Sequence, residues 1–94
     1  MTDSMFHKLH DIIKERQANP KPDSYTNKLL DEGITRIAQK VGEEGVEVVI
    51  AALAQDDQTL LNEMADLIYH ATVLLAVRKL DWQDVEAVLK ARHK

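Results

Sequence analysis

Cysteine is absent from this 94-residue chain, so neither a disulfide nor a thiolate-bound metal can staple it, and nothing marks an oxidising compartment. The segment Met1-Thr2-Asp3-Ser4-Met5-Phe6-His7-Lys8 lacks the basic start and unbroken apolar run of a signal peptide. No apolar stretch reads as long enough to cross a bilayer, so the expectation is a cytoplasmic protein with no membrane partner. An excess of positive charge is missing too: twelve basic residues face sixteen acidic ones, for a formal net charge of −4. That excludes a broad, charge-driven grip on nucleic acid and leaves small anionic ligands, provided metal ions or local basic groups offset the repulsion. Length is also in short supply. A single core of this size is marginally stable alone, and a partner subunit would help it.

Only three glycines and two prolines interrupt a sequence rich in Leu, Ala, Glu, Lys, Val and Ile, whose apolar residues recur at helical spacing. The fold class that follows is all-α, one small helical bundle over residues 1–94. A first helix is predicted over Ser4–Ala18 with Phe6, Leu9, Ile12 and Ile13 as its apolar stripe. Asn19-Pro20-Lys21-Pro22 ends it, because each proline disfavours helix at the residue before it. Ser24 suits the N-cap of a short helix over Tyr25–Leu30, and Gly33 suits a left-handed stop. A long helix over Ile34–Ala54 should bury Ile34, Ile37, Ala38, Val41, Val48, Val49 and Ala52. After the polar connection Gln55–Gln58, another runs over Thr59–Lys79 with Leu60, Met64, Leu67, Ala71 and Leu75 inward. Asp81 with Asp84 three positions later resembles a capping arrangement for a last helix through Val85, Val88 and Leu89.

The short connection predicts that the two long helices form a central antiparallel hairpin. Val46–Ala54 apart from Glu47, and Ala71–Val77, are apolar around more of the helix than one core face needs. The expectation is a homodimer or higher homo-oligomer using these helices; a fully buried hairpin within one subunit is the alternative.

Chemistry-bearing residues gather on the same two helices. Glu44 and Glu47 are three apart and share a face, with Lys40 one turn before Glu44; Glu63 and Asp66 are likewise three apart, with His70 one turn on. Folding back near Asp56-Asp57 puts Glu47 opposite Asp66, Glu44 near His70 and Glu63 near Ile50, all within one or two turns. Four carboxylates so gathered repel one another unless a cation joins them. All-oxygen ligation suits Mg²⁺ or Mn²⁺, and magnesium readily takes phosphate oxygens as its remaining ligands. A charged, solvated helix surface is the competing reading of the same spacing.

Glu43-Glu44-x-x-Glu47 followed by Glu63-x-x-Asp66 resembles the signature of the all-α nucleotide pyrophosphohydrolases, the MazG-like superfamily. Ser24-Tyr25-Thr26, Lys40-Val41-Gly42-Glu43-Glu44 and Asp66-Leu67-Ile68-Tyr69-His70, with Leu74-Leu75 behind, resemble the phosphoribosyl-ATP pyrophosphohydrolase family of histidine biosynthesis. The resemblance implies Mg²⁺-dependent hydrolysis of phosphoribosyl-ATP to phosphoribosyl-AMP and pyrophosphate by a free-standing domain. It implies Glu44, Glu47, Glu63 and Asp66 as metal ligands and Glu43, Glu44 and Glu47 as catalytic carboxylates. Ser24, Tyr25, Thr26, Lys40 and His70 would bind substrate, with Arg16 and Arg36 as further phosphate contacts. Simpler readings stand beside these: Ser24 as a cap, Lys40 as a helix pair with Glu44, Glu43 as a solvent-facing acid, His70 as a satisfied core-edge residue and Trp82 as packing. Gly45 departs from the alanine expected there, and close helix approach at Gly42 and Gly45 would account for both glycines. A housekeeping pyrophosphatase acting on noncanonical nucleoside triphosphates, or a non-catalytic helical interaction module, are the alternatives.

Overall fold

The computed structural model describes residues 4–93. Five helices follow in order, α1 (Met5–Ala18), α2 (Tyr25–Glu32), α3 (Ile34–Ala54), α4 (Asp57–Val77) and α5 (Trp82–Arg92), with no strand among the described residues. The all-α expectation holds.

The starts of α1, α2, α4 and α5 are set by side-chain oxygens that satisfy backbone N–H groups left without an intrahelical partner. The Ser4 hydroxyl accepts from Phe6 N, Ser24 from Asn27 N and Asp56 from Thr59 N. At α5 the exchange is reciprocal: Asp81 accepts from Asp84 N, and Asp84 accepts from Asp81 N. An aspartate therefore completes the box that glutamate usually closes. The N-cap at Asp56 starts α4 two residues earlier than expected and shrinks the α3–α4 connection to Gln55-Asp56.

The helix ends differ from expectation in two places. Gly33 has φ 93° and ψ 173°, an extended conformation open only to glycine rather than the left-handed helical one. It closes α2, its N–H bonding to Leu29 O, while its own carbonyl accepts from Ile37 N and opens α3. α4 stops at Val77, and Lys79 adopts φ 63°. Lys79 N bonds Ala76 O and Leu80 N bonds Leu75 O, the paired bonds of a Schellman stop with lysine in glycine's usual place.

The core is Ile13, Leu29, Ile37, Val73 and Ala76, edged by Leu9, Leu30, Tyr69, Leu74 and Val77. It lies where α1 and α2 cover the first turns of α3 and the last turns of α4. Several expected stripe residues fall outside it: Phe6, Ile12, Ile34, Val49 and Met64 are exposed, as are Ala38 and Ala52. On α4 the buried face is rotated, taking His70, Thr72, Val73 and Ala76 instead. For Val49, Ala52 and Met64 the reason is coverage. α1 and α2 are too short to reach the turns of α3 and α4 nearest their connection, so Val46, Val49, Ile50, Leu53, Leu61 and Met64 remain in solvent.

Polar side chains lock the covered end. His10 donates through Nε2 to Leu80 O at 2.9 Å, and Trp82 donates its indole N–H to Thr72 Oγ1 at 3.0 Å while its ring meets Phe6. Trp82 is thus a packing residue. Buried Asn27 donates to Arg16 O and accepts from Lys21 N, pinning the proline segment to α1. By length and composition alone α4 matches a bilayer-spanning helix, which corrects the expectation that no segment does; here it packs on α1, α2 and α3 and carries Glu63 and Asp66.

Candidate functional site

α3 runs unbroken through Lys40, Glu43, Glu44 and Glu47, and α4 through Glu63, Asp66 and His70, so backbone regularity fixes each side chain's direction. Carboxylate oxygens of Glu44, Glu63 and Asp66 lie within 4.8 Å of one another. Glu44 and Glu63 are half-buried, and Asp66 is exposed. Glu47 stands outside this trio and is exposed. Glu47 nonetheless lies close enough to act on Glu63 through its charge.

The electrostatics register this crowding. The Glu63 carboxyl is raised above its ordinary value of 4.5, first by loss of water around it and then by the negative charges of Glu47, Asp66 and Glu44. Three convergent carboxylates form a purely oxygen donor set, which matches a hard divalent cation by ligand chemistry.

Lys40 reaches into the acidic side, with Nζ 3.5 Å from Glu43 Oε1 and 3.8 Å from Glu44 Oε2. Glu43 also accepts from Gln39 Nε2 at 2.9 Å. That hydrogen bond, together with the positive charges of Lys40 and Arg36, holds its carboxyl below the usual 4.5. Arg36 itself pairs with Glu32 at 3.7 Å, and Arg16 lies away from the trio, beside Lys21, Pro22, Asp23 and Ser24.

The Ser24-Tyr25-Thr26 hydroxyls are all engaged within the chain. Ser24 caps α2, Thr26 Oγ1 pairs with Tyr69 OH, and Tyr25 OH lies 3.0 Å from His70 Nε2. His70 Nδ1 is 2.8 Å from Asp66 O. A carbonyl only accepts, so Nδ1 carries the proton and, in the neutral ring, Nε2 accepts from Tyr25. Partial burial pushes the Tyr69 phenol above its ordinary 10.0, keeping it protonated. Tyr69 was not singled out by sequence patterning. Its position three residues after Asp66, within the Asp-Leu-Ile-Tyr-His run, was the available signal.

Fold and cluster define the class: an all-α domain that gathers acidic side chains between two long helices. The profile of the phosphoribosyl-ATP pyrophosphohydrolase family matches residues 6–93. The chain is 51% identical over 92% of its length to the histidine biosynthesis bifunctional protein HisIE of Xanthomonas axonopodis pv. citri, and 46% over 95% to that of Haemophilus influenzae. It covers 42% and 40% of those proteins, so it spans about two fifths of the bifunctional relatives. A phosphoribosyl-ATP pyrophosphatase of Clostridium acetobutylicum is 42% identical over 93% of the chain and 79% of its own length. The chain belongs to the phosphoribosyl-ATP pyrophosphohydrolase family.

Proposed function

We propose that this chain hydrolyses phosphoribosyl-ATP to phosphoribosyl-AMP and pyrophosphate in histidine biosynthesis, using Mg²⁺ held by Glu44, Glu63 and Asp66, with Glu47 one turn along α3 completing the acidic set. The observation carrying this reading is the convergence of those three carboxylates within 4.8 Å, in a chain of a family named for this reaction. The mutually repelling acids fit a cation that joins them, and Mn²⁺ satisfies the same donors. When bound, the cation supplies positive charge to the phosphate oxygens and acidifies water.

The protein's own residues bind and orient. Lys40, already balancing Glu43 and Glu44, contributes positive charge where a polyphosphate would approach. Glu43 holds Lys40 in place. Hydrolysis adds water across the phosphoanhydride between the α and β phosphates, and pyrophosphate leaves.

The two long helices are read as an antiparallel hairpin whose exposed apolar turns, Val46, Val49, Ile50, Leu53 and Leu61, are covered by a second copy.

Incubation with phosphoribosyl-ATP and Mg²⁺, with products identified by mass, tests the reaction. Phosphoribosyl-AMP and pyrophosphate should form in equal amounts and EDTA should stop it. Glu44→Gln and Glu63→Gln should each lower turnover on the order of 100-fold. A much higher kcat/KM for noncanonical nucleoside triphosphates, or turnover indifferent to EDTA and to both substitutions, overturns the reading.

A further inference from the structure

Two hydroxyl-bearing residues at the start of α2 reach across to two adjacent rings on α4. Tyr25 OH donates to His70 Nε2 at 3.0 Å, and Thr26 Oγ1 pairs with Tyr69 OH. The rings reinforce the join: Tyr25 and Tyr69 stack with centroids 6.1 Å apart, and His70 meets both edge-on at 5.9 and 5.1 Å. The chain of bonds continues into the acidic turn, because His70 Nδ1–H donates to the carbonyl of Asp66. His70 and Thr26 are buried and Tyr25 is half exposed, so each bond has one partner shielded from water, which favours a single geometry.

α2 also packs against α3, where its Leu29 meets Ile37 in the core. One short helix thus grips both long helices. Its grip on α4 falls on the residues three and four positions after Asp66, on the turn that presents Asp66 to Glu44.

We propose that Tyr25 and His70 are positioning residues, forming with Thr26 and Tyr69 a clamp that sets the rotation of α4 against α3 and so keeps Asp66 and Glu63 converged on Glu44. This rests on the reading of the trio as a cation site. It assigns the conspicuous Ser-Tyr-Thr segment to alignment rather than to substrate contact.

Mn²⁺ affinity, read by electron paramagnetic resonance on the intact chain, tests the clamp separately from turnover. Tyr25→Phe removes one hydroxyl and keeps the stacked ring, and should weaken Mn²⁺ binding about 10-fold. His70→Leu should do at least as much. The double variant should bind no more weakly than His70→Leu alone, since both changes break the same bond. His70→Gln places a carbonyl oxygen near the former Nε2 and should recover most of the affinity. Turnover lost in Tyr25→Phe should return as Mg²⁺ is raised, a recovery that simple misfolding would not show. Wild-type Mn²⁺ affinity in Tyr25→Phe, or strictly multiplicative losses in the double variant, overturns the clamp. Absence of Mn²⁺ binding by the unaltered chain overturns the functional reading instead.

Discussion

Glu63 occupies the position where charge and burial conflict most directly. Its raised pKa means that the folded chain holds a proton the unfolded chain has already released. Between 4.5 and that raised value the folded state binds more protons, so its stability falls as pH rises. Without divalent cation, the protein should therefore gain thermal stability as pH is lowered through Glu63's raised pKa, with no further gain from this group below 4.5. Glu63→Gln should remove that component, seen by comparing melting temperatures of both proteins across the window; parallel curves would contradict it. Asp56 and Glu43, whose carboxyls sit below their usual values, act in the opposite sense, which is why the comparison with Glu63→Gln isolates the effect. The acids themselves were legible in the sequence from their spacing of three. Which of them meet was not, because that depends on how α3 and α4 are set against each other.

At the scale of the helices, the three glycines separate into two kinds. Gly33 joins α2 to α3 at φ 93°, where any side chain is strained even though a Cβ would meet nothing within 4 Å. Gly33→Ala should cost about 2 kcal/mol, measured by denaturant unfolding. Gly42 and Gly45 lie inside α3, and a Cβ on either meets open space. The close helix approach expected from the sequence is therefore not made within this chain, and Gly45→Ala should stabilise it by about 1 kcal/mol through helix propensity. Helix number and order were readable because caps and breakers are local: Ser4, Ser24 and the proline pair act on their own neighbours. The inward faces were less so. Periodicity says that a helix has an apolar side, but α3 and α4 have more apolar surface than one side, and only the positions of α1 and α2 choose between Met64 and Val73 for burial.

Across the whole molecule, the surface area is 6640 Å², against about 5500 Å² for a compact monomer of this mass. The Cα radius of gyration is 14.4 Å, where about 12 Å is usual for this length. The α3–α4 end that α1 and α2 leave bare adds exposed Val46, Val49, Ile50, Leu53, Leu61 and Met64 to that surface. The proposed pairing of two copies over that end predicts sedimentation as a dimer at micromolar concentration. Leu53, 83% exposed, lies more than two helical turns along α3 from Glu44, and Leu53→Glu should shift the equilibrium to monomer by placing a charge in an apolar interface. A wild-type chain that sediments as a monomer would remove the pairing.

By itself the sequence determined the all-α class, the five helices to within a few residues, and the family, because these rest on local capping, periodicity and motif spacing. The acidic cluster was visible there as a possibility, four carboxylates on two helices. Tertiary structure brought Glu44, Glu63 and Asp66 within 4.8 Å of one another with Glu47 near enough to act on Glu63, and it joined Tyr25 to His70 and Thr26 to Tyr69. Those outcomes depend on helix register and rotation, which are fixed by contacts between residues such as Tyr25 and His70, 45 positions apart, and no local pattern encodes them.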